Sequence, residues 1–364
     1  MIQDIFPSVF ENHFENFSPS LDDRICLFQD GKILARHDKT SNDVVYPLRR
    51  EFSEEKQISS TEPLTGAFRN SEDSASTYHA SFSSIYIFTL NGEKYFLVLP
   101  DSSAPTTAPL AGATQSNTPA SANPSVTVPS SNAYANTASS SNTPASMSPS
   151  SNTPDSSAQA TTTLIIPEGY TFYSLHAMRE LGLSSNTGIF AAYSAFHLDK
   201  WYRANRFSGC CGTKTEPDTV ERALVCPSCG SKTYPRINPA VIVGVKNGDR
   251  ILLTKYKSGF AHNALVAGFV EFGETLEQTV RREVMEEAGI HVKNIRYYKS
   301  QPWGIALDLL AGFYCEVDGD DTIRMDRSEL KYAEWVRRED IILQPSDHSL
   351  TNEMMKRFKE GKEA

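Results

Sequence analysis

The sequence lacks an excess of positive charge. Its 364 residues include 35 Lys and Arg against 44 Asp and Glu, a formal charge of −9. A protein that binds nucleic acid without sequence preference needs surplus basic residues to meet the phosphates, so this balance argues against that class. A phosphate substrate held through divalent cations remains compatible with an acidic chain, because the cation inverts the local sign of the site.

The chain also lacks long apolar runs and is poor in cysteine. No stretch of about 18 apolar residues occurs, so we predict no transmembrane helix and no membrane partner. Residues 1–14 have no basic region and carry Asp4 and Glu11, unlike a signal peptide. Four of the six cysteines lie between 210 and 229, a spacing typical of a metal site rather than a disulfide framework. We therefore expect a reducing, cytoplasmic compartment.

Residues 101–163 are poor in charged and large apolar side chains. Of these 63 residues, 53 are Ser, Thr, Ala, Pro or Asn. Such a composition offers too little apolar surface to offset the entropy of ordering, so we predict a disordered insertion. An expanded surface loop is the simplest interpretation, and a phosphorylated or glycosylated tether is the functional alternative.

The insertion interrupts the first of three predicted domains. Residues 1–206 form an N-terminal α+β domain, 207–233 a small metal module, and 234–364 a third domain. In the first domain, β-rich runs at 85–90 and 93–99 flank Asn-Gly, a hairpin signal, and a helix is predicted over 191–206.

The third domain alternates strand and helix patterns. We predict a hairpin at 241–245 and 251–254, a short strand at 264–270, strands at 295–299 and 309–316, and a last helix at 349–360. The fold class is therefore α/β or α+β, with a mixed β-sheet flanked by helices.

A helix in this domain carries three glutamates on one face. Thr275 and Gln278 have the spacing of a capping box, and Gly289 is placed to end the helix. Glu283, Glu286 and Glu287 follow the i, i+3, i+4 spacing. Their carboxylates would therefore repel one another by roughly 0.3 kcal/mol per pair. Divalent cations would offset that repulsion, and a solvated acidic face is the alternative.

The metal module has one complete knuckle. Cys226 and Cys229 have zinc-knuckle spacing, and the partner knuckle should lie about 15 residues upstream. There, Ser208 stands where a cysteine is expected. The predicted ligands are Cys211, Cys226 and Cys229, with Cys210 or water as the fourth. A structural Zn²⁺ is favoured over a metal-free ribbon or a catalytic zinc.

Two resemblances connect these features. Residues 268–290 resemble the Nudix box, with every fixed position matched: Gly268, Glu274, Arg282, Glu283, Val284, Glu286, Glu287, Gly289 and Ile290. A zinc ribbon directly before such a box, with Tyr234-Pro235-Arg236-Ile237-Asn238-Pro239 between them and Ser300-Gln301-Pro302-Trp303 after them, resembles the NADH pyrophosphatase family. Bacterial members of this family also remove NAD caps from RNA.

The resemblance implies a Nudix fold preceded by a zinc ribbon and an N-terminal domain. It implies hydrolysis of NAD(H) to NMN(H) and AMP with Mg²⁺ or Mn²⁺, and removal of NAD from RNA 5′ ends. Glu283 and Glu287 would bind the metal, with Glu286 as ligand or base and the Ala267 carbonyl and Glu329 as further ligands. Arg282 would orient the glutamates, and Glu274 would brace the loop–helix junction.

The resemblance also implies substrate contacts and a homodimer that shares its pocket. The implied substrate-binding residues are Arg179, Tyr234, Phe269, Gln301, Pro302, Trp303, Gly304, Ile305, Ala306, Leu307 and Asp308. Residues 304–308 depart from the family's Pro-Phe-Pro-x-Ser, which leaves the preference for nicotinamide open.

Three other functions remain as alternatives. The altered segment 304–308 would suit a Nudix hydrolase for another nucleoside diphosphate, such as ADP-ribose. A catalytically silent nucleotide-binding regulator is a second alternative, although the complete glutamate set disfavours it. A zinc-ribbon RNA-binding module is a third, which the acidic charge balance disfavours.

Overall fold

The structure is a computed structural model that describes residues 1–57, 77–79, 83–99, 161–257 and 262–363. Its first part combines short strands with two helices. The strands are β1 (Phe10–Glu11), β2 (Arg24–Cys26), β3 (Phe28–Gln29), β4 (Lys32–Asp38), β5 (Asp43–Val45), β6 (Ser53–Gln57), β7 (Thr77–His79), β8 (Ser83–Leu90), β9 (Glu93–Leu99), β10 (Thr161–Ile165) and β11 (Thr171–Tyr173). The helices are α1 (Leu175–Arg179) and α2 (Thr187–Ala204), with a 3₁₀ turn at Arg49–Glu51.

These strands form three small sheets, with orders β1-β8-β9-β2, β6-β10-β7 and β11-β4-β3, and β5 pairs with β4. The predicted hairpin at Asn91-Gly92 is confirmed as the β8–β9 pair. Helix α2 begins four residues before the predicted start. Its early residue Gly188 lies so close to β5 that a Cβ there would come within 2.9 Å of Val44 Cβ. The predicted apolar face of the helix is buried in the N-terminal core.

The predicted disordered tract ends three residues too late. Residues 101–160 lie outside the described residues, but Thr161–Thr163 belong to β10, which pairs with both β6 and β7. Threonine favours extended backbone, and the three consecutive threonines find strand partners distant in sequence. Composition alone could not reveal these partners.

The ribbon and the C-terminal part follow. The ribbon strands are β12 (Glu216–Pro217), β13 (Leu224–Val225) and β14 (Lys232–Thr233). The later elements are β15 (Asn238–Asn247), β16 (Arg250–Tyr256), β17 (Val266–Phe269), α3 (Leu276–Ala288), β18 (Val292–Trp303), β19 (Asp308–Val317), β20 (Leu330–Arg337), a 3₁₀ turn (Arg338–Asp340) and α4 (Leu350–Lys359). The large sheet has the order β18-β19-β15-β16-β20, with β17 beside β15.

This sheet is mixed, because β15 and β19 run parallel while the other pairs are antiparallel. Its two faces are covered by different helices. Val280, Val284 and Ala288 of α3 pack on one face, and Met354 and Phe358 of α4 belong to the apolar cluster on the other. The predicted mixed sheet flanked by helices is confirmed.

Helix α3 begins and ends as its sequence predicts. The Thr275 hydroxyl accepts a hydrogen bond from the Gln278 amide, and the Gln278 side chain accepts one from the Thr275 amide. Gly289 ends the helix in the left-handed conformation at φ 70°, where a Cβ would be strained. With its apolar stripe buried, the helix has a fixed rotation, which sets the direction of its glutamates.

The segment 300–303, which carries part of the family signature, lies in a strand. It forms the end of β18, and only 304–307 turn the chain into β19. Gln3 donates to the Ser300 carbonyl at 2.9 Å, so the start of the chain lies against this strand. None of the helices in the described ranges is both long and apolar enough to cross a bilayer.

Candidate functional site

The end of β17 and the helix α3 meet at Gly268. Its backbone lies so close to α3 that a Cβ there would overlap the Glu283 carboxylate. Glycine is therefore needed at this position for the carboxylate to sit against the strand. Because the Ala267 carbonyl lies one residue earlier, this approach brings two predicted metal ligands to the same edge of the sheet.

Arg282 organises the surrounding carboxylates, as the sequence predicts. Its guanidinium donates to Glu274 at 2.7 and 2.9 Å, to Glu283 at 2.7 Å and to Glu286 at 3.0 Å. It also donates to the Phe269 carbonyl at 2.9 Å, which ties the helix to the end of β17. Hydrogen bonding to Arg282 lowers the pKa of Glu274 to about 2, so Glu274 remains an anionic brace.

Glu287 is the most buried of the three glutamates, with 2% of its surface exposed. Its Oε1 accepts a hydrogen bond from the Tyr256 hydroxyl at 3.1 Å, whereas its buried Oε2 has no hydrogen-bond partner among the residues that the structure describes. Burial raises the pKa of Glu287 to about 8, with added repulsion from Glu283 and Glu329. A buried carboxylate oxygen with no donor is suited to a cation, so this donor set fits a hard divalent metal.

Glu283 and Glu329 complete the carboxylate group. Burial raises the pKa of each, and each feels the negative charge of Glu286. Glu286 itself is the exposed member of the helix triplet. Among the described residues, three donor atoms come within 4.8 Å of one another at a cysteine cluster and at no carboxylate cluster. The carboxylates are therefore neighbours, but no three of them in the described residues have oxygen atoms within 4.8 Å of one another.

Tyr256 is a residue of this site that the sequence analysis missed. Its hydroxyl lies 3.1 Å from Glu287 Oε1 and 3.5 Å from the Ala267 carbonyl oxygen, between two predicted metal ligands. Burial, followed by the Glu287 charge, raises the pKa of Tyr256, so the hydroxyl remains a donor. The sequence offers no motif for Tyr256. A β-bulge at Lys255/Tyr256 also interrupts the regular strand register, so strand alternation does not predict which way this side chain points.

Phe269 and Tyr234, two aromatic residues among the implied substrate contacts, lie at exposed positions. Phe269 ends β17, and 38% of its surface is exposed beside the Arg282 network. Tyr234 follows the ribbon, and its hydroxyl donates to Glu221 at 2.9 Å. Glu221 also pairs with Lys232 at 2.8 Å, so Tyr234 is anchored to the ribbon.

Gln301 differs from its predicted role as a substrate contact. Its side chain is fully buried. It donates to Gln3 Oε1 at 3.1 Å and to the His348 carbonyl at 2.8 Å, and it accepts from the Leu350 amide at 2.7 Å. All of its contacts are therefore internal, and it braces the start of α4 against β18.

Trp303 and Arg179 are brought together at the boundary between the N-terminal part and the sheet. The Arg179 guanidinium lies 5.5 Å from the centre of the Trp303 ring, and the Tyr193 ring lies 5.3 Å away. Within the described ranges, the buried Nε of Arg179 and the hydroxyl of Tyr193 have no hydrogen-bond partner. Two predicted substrate contacts, 124 residues apart in sequence, thus share one corner.

The turn 304–307 packs against α2. A Cβ at Gly304 would overlap the Tyr193 carbonyl, so this close approach requires glycine. Pro302, Ile305 and Ala306 are exposed, and Leu307 is half-buried. Asp308 is buried, one of its carboxylate oxygens has no hydrogen-bond partner in the described part of the chain, and burial raises its pKa to about 7.

The ribbon gathers three sulfur atoms. The Sγ atoms of Cys211, Cys226 and Cys229 lie within 4.8 Å of one another, and those of Cys211 and Cys226 are 3.4 Å apart. Tetrahedral zinc with Zn–S bonds of about 2.3 Å needs sulfurs roughly 3.8 Å apart, so this donor set fits zinc. Cys210, the predicted alternative fourth ligand, is exposed and lies outside this group.

Two domain families match the chain. The NUDIX domain matches residues 236–358, and the NADH pyrophosphatase zinc ribbon domain matches residues 203–234. The chain therefore carries a NUDIX domain, and more particularly one joined to the zinc ribbon of NADH pyrophosphatases. Both resemblances predicted from the sequence are confirmed.

Sequence comparison and structural comparison each find similar proteins. The NAD-capped RNA hydrolase NudC of Enterobacter sp. (strain 638) is 43% identical over 164 residues, which cover 44% of this chain and 62% of that protein. The protein of the same name from Escherichia coli O9:H4 (strain HS) is 42% identical over 164 residues, which cover 44% of this chain and 63% of that protein. The match thus spans a little under two thirds of these relatives. A NUDIX hydrolase from Nitrosomonas europaea aligns over 43% of this chain and 92% of its own, with 22% identity and a TM-score of 0.39.

Proposed function

We propose that this chain is an enzyme that hydrolyses the pyrophosphate bond of NAD(H), giving NMN(H) and AMP. The observation that carries the proposal is the buried, unpartnered Oε2 of Glu287 beside Glu283, Glu329 and the Ala267 carbonyl. These groups would hold Mg²⁺ or Mn²⁺, with Glu286 as a further ligand or as the base. A bound cation would neutralise pyrophosphate charge and lower the pKa of the attacking water.

The protein side of this chemistry is positioning. Arg282 holds Glu283 and Glu286 at the mouth of the site, while Tyr256 holds the inner carboxylate of Glu287. Gly268 allows Glu283 to lie against the strand. Carboxylates restrained in this way need less reorganisation when a cation and a charged substrate enter.

The name of the NudC relatives supports the choice of substrate. Those proteins are called NAD-capped RNA hydrolases. We propose that this chain acts on NAD(H) and on NAD at the 5′ end of RNA. Phe269 and Tyr234 would stack on the nicotinamide ring, since both aromatic side chains are exposed and Phe269 lies beside the Arg282 network. Arg179 and Trp303, with the exposed turn beside them, would contact the remainder of the substrate.

A homodimer is part of the proposal. Several large apolar side chains around β17 and the turn are exposed: Tyr234, Ile237, Phe269, Phe272, Ile305 and Leu309. Phe272 projects entirely from the surface of the single chain. A second copy would cover these side chains and could bring its Tyr234 to the first copy's Phe269. The ribbon zinc is proposed as structural, and the cytoplasmic location remains a prediction.

Product analysis tests the activity. The full chain is incubated with NADH and either Mg²⁺ or Mn²⁺, and the products are separated by chromatography. We expect NMNH and AMP in equal amounts, because one water molecule is added across one P–O–P bond. The values of kcat/KM for NADH, NAD⁺, ADP-ribose and 5′-NAD RNA are then compared. Cleavage of ADP-ribose with NADH left intact would overturn the proposed substrate and favour the alternative.

A further inference from the structure

The two loops of the zinc ribbon have the same backbone design. In the first loop, 208–213, the Ser208 amide donates to the Thr213 carbonyl at 2.8 Å, and the Gly212 amide donates to the Ser208 carbonyl at 2.9 Å. These two bonds close a tight knuckle around the side chain at position 208. The first residue of the loop is thereby turned toward the centre of the ribbon.

The second loop, 226–231, repeats this pattern. The Cys226 amide donates to the Ser231 carbonyl at 2.9 Å, and the Gly230 amide donates to the Cys226 carbonyl at 2.9 Å. Gly212 and Gly230 adopt nearly the same left-handed backbone, with φ of 74° and 72°. The loops are therefore related position by position, with an offset of 18 residues.

This relation identifies the position of each candidate ligand. Ser208 corresponds to Cys226, and both side chains are buried. Cys211 corresponds to Cys229, and both of these are among the three gathered sulfurs. Cys210 corresponds to Ser228, at the exposed tip of its knuckle. By this correspondence Ser208 holds the position of the fourth ligand, while the Cys210 thiol approaches Cys229 from the tip of the knuckle.

The contacts of Ser208 agree with a place in the metal site. Its Oγ lies 3.6 Å from Cys229 Sγ and 3.1 Å from Ser231 Oγ, and it accepts a hydrogen bond from the Cys210 amide at 3.2 Å. These contacts hold the hydroxyl beside Cys229 Sγ and inside the ribbon. Its direction follows from the backbone bonds of the loop, which do not depend on a metal.

We propose that the ribbon binds zinc through three thiolates and the hydroxyl oxygen of Ser208, with Cys210 outside the metal's coordination shell. Oxygen is a normal zinc ligand, but a neutral hydroxyl contributes less charge than a thiolate. This site therefore carries one formal negative charge fewer than a four-thiolate ribbon. The bound metal is held less tightly and exchanges more readily than in a four-thiolate site.

Zinc competition and cobalt spectroscopy on the full chain test this inference. The variants are Ser208→Cys, Ser208→Ala and Cys210→Ser, and each zinc Kd is measured against a chelator. We expect Ser208→Cys to tighten zinc binding by more than about tenfold, since even residues that only hydrogen-bond to a metal ligand contribute that much. Ser208→Ala should weaken binding several-fold, and Cys210→Ser should leave it unchanged.

Cobalt reports the number of thiolates directly, because its sulfur-to-metal charge-transfer absorption grows with each bound sulfur. Wild type and Cys210→Ser should show the same three-thiolate intensity, and Ser208→Cys should show a fourth increment. A wild-type intensity that falls in Cys210→Ser would overturn the inference by making Cys210 a ligand. An unchanged Kd in Ser208→Ala would overturn the hydroxyl as ligand, and so would a wild-type protein that binds no metal. None of these readouts depends on NADH hydrolysis.

Discussion

The two candidate metal centres differ in how far the folded chain assembles their donor atoms. In the ribbon, three sulfurs already lie within 4.8 Å of one another. At the carboxylate site, Arg282 holds Glu283 and Glu286 while Tyr256 holds Glu287. Hydrogen bonds of two short loops position the sulfurs, whereas carboxylates on one helix face repel one another. The ribbon is thus preassembled, and the carboxylates are restrained but not yet gathered.

This difference suits two different tasks. A structural ion benefits from donors that the backbone gathers before binding. A catalytic ion must arrive with a charged substrate and leave coordination positions open to it. We therefore expect changes at the carboxylate site to affect turnover and changes at the ribbon to affect stability. Four predictions test this separation.

The largest expected effect is on turnover. Glu287→Gln should lower kcat by at least about 100-fold, because it removes an anionic ligand worth several kcal/mol at about 1.4 kcal/mol per tenfold. Steady-state hydrolysis of NADH measures it. Glu277→Gln, an exposed glutamate on the same helix, is the matched control and should behave as wild type. A Glu287→Gln enzyme with more than about a third of wild-type kcat would contradict the proposed metal role.

A change in the ribbon should affect metal content and stability. Cys226→Ser should remove the zinc and lower the melting temperature by about 5 °C or more, because a structural metal contributes folding energy directly. Metal content by mass spectrometry and thermal unfolding measure these effects. Cys210→Ser, which alters an exposed cysteine of the same ribbon, is the control. An unchanged melting temperature in Cys226→Ser would mean that the ribbon needs no metal.

Tyr256→Phe should separate metal binding from folding at the carboxylate site. Loss of its hydroxyl removes the hydrogen bond to Glu287 Oε1, so we expect Mn²⁺ affinity to fall by about tenfold. The melting temperature should change little, because the ring remains. Tyr297→Phe, at an exposed tyrosine of β18, is the control. Equal Mn²⁺ affinity in Tyr256→Phe and wild type would show that the hydroxyl does not position the ligand.

The last prediction concerns the pH dependence of stability without divalent metal. Unfolded Glu287 loses its proton near pH 4.5, but burial raises its pKa to about 8 in the folded chain. The folded state therefore holds the proton between these values, and the free energy of unfolding falls as pH rises through this window. Glutamine does not titrate, so the free energy of unfolding of Glu287→Gln lacks this pH-dependent contribution. In chelator, the variant should match wild type near pH 4 and unfold at a higher temperature near pH 8.

A difference between the two proteins that stays constant from pH 4 to 8 would contradict the raised pKa. Added Mn²⁺ should remove the advantage of the variant near pH 8, because the ion binds the deprotonated carboxylate of wild type. This reversal would link the stability measurement to the same side chain that the kinetic measurement addresses.

Local sequence determined the elements that carry the chemistry. The capping box at Thr275, the helix end at Gly289 and the spacing of the three glutamates follow from hydrogen bonds and periodicity within a few residues. The knuckle formed by Cys226 and Cys229 is equally local. Such features can be read from sequence because their partners lie in the same short segment.

The tertiary structure decided the roles that depend on distant partners. Tyr256 meets Glu287 across 31 residues, and Gln301 bonds Gln3 across 298. Ser208 lies 3.6 Å from Cys229 because the two ribbon loops are paired. The sequence alone does not distinguish Ser208 from Cys210 as the fourth zinc ligand. Burial and contact across the chain carry no periodic signal, so a residue's direction and neighbours appear only once the sheets and loops are assembled. By itself, the sequence determined which donors the protein has, and folding determined which of them meet.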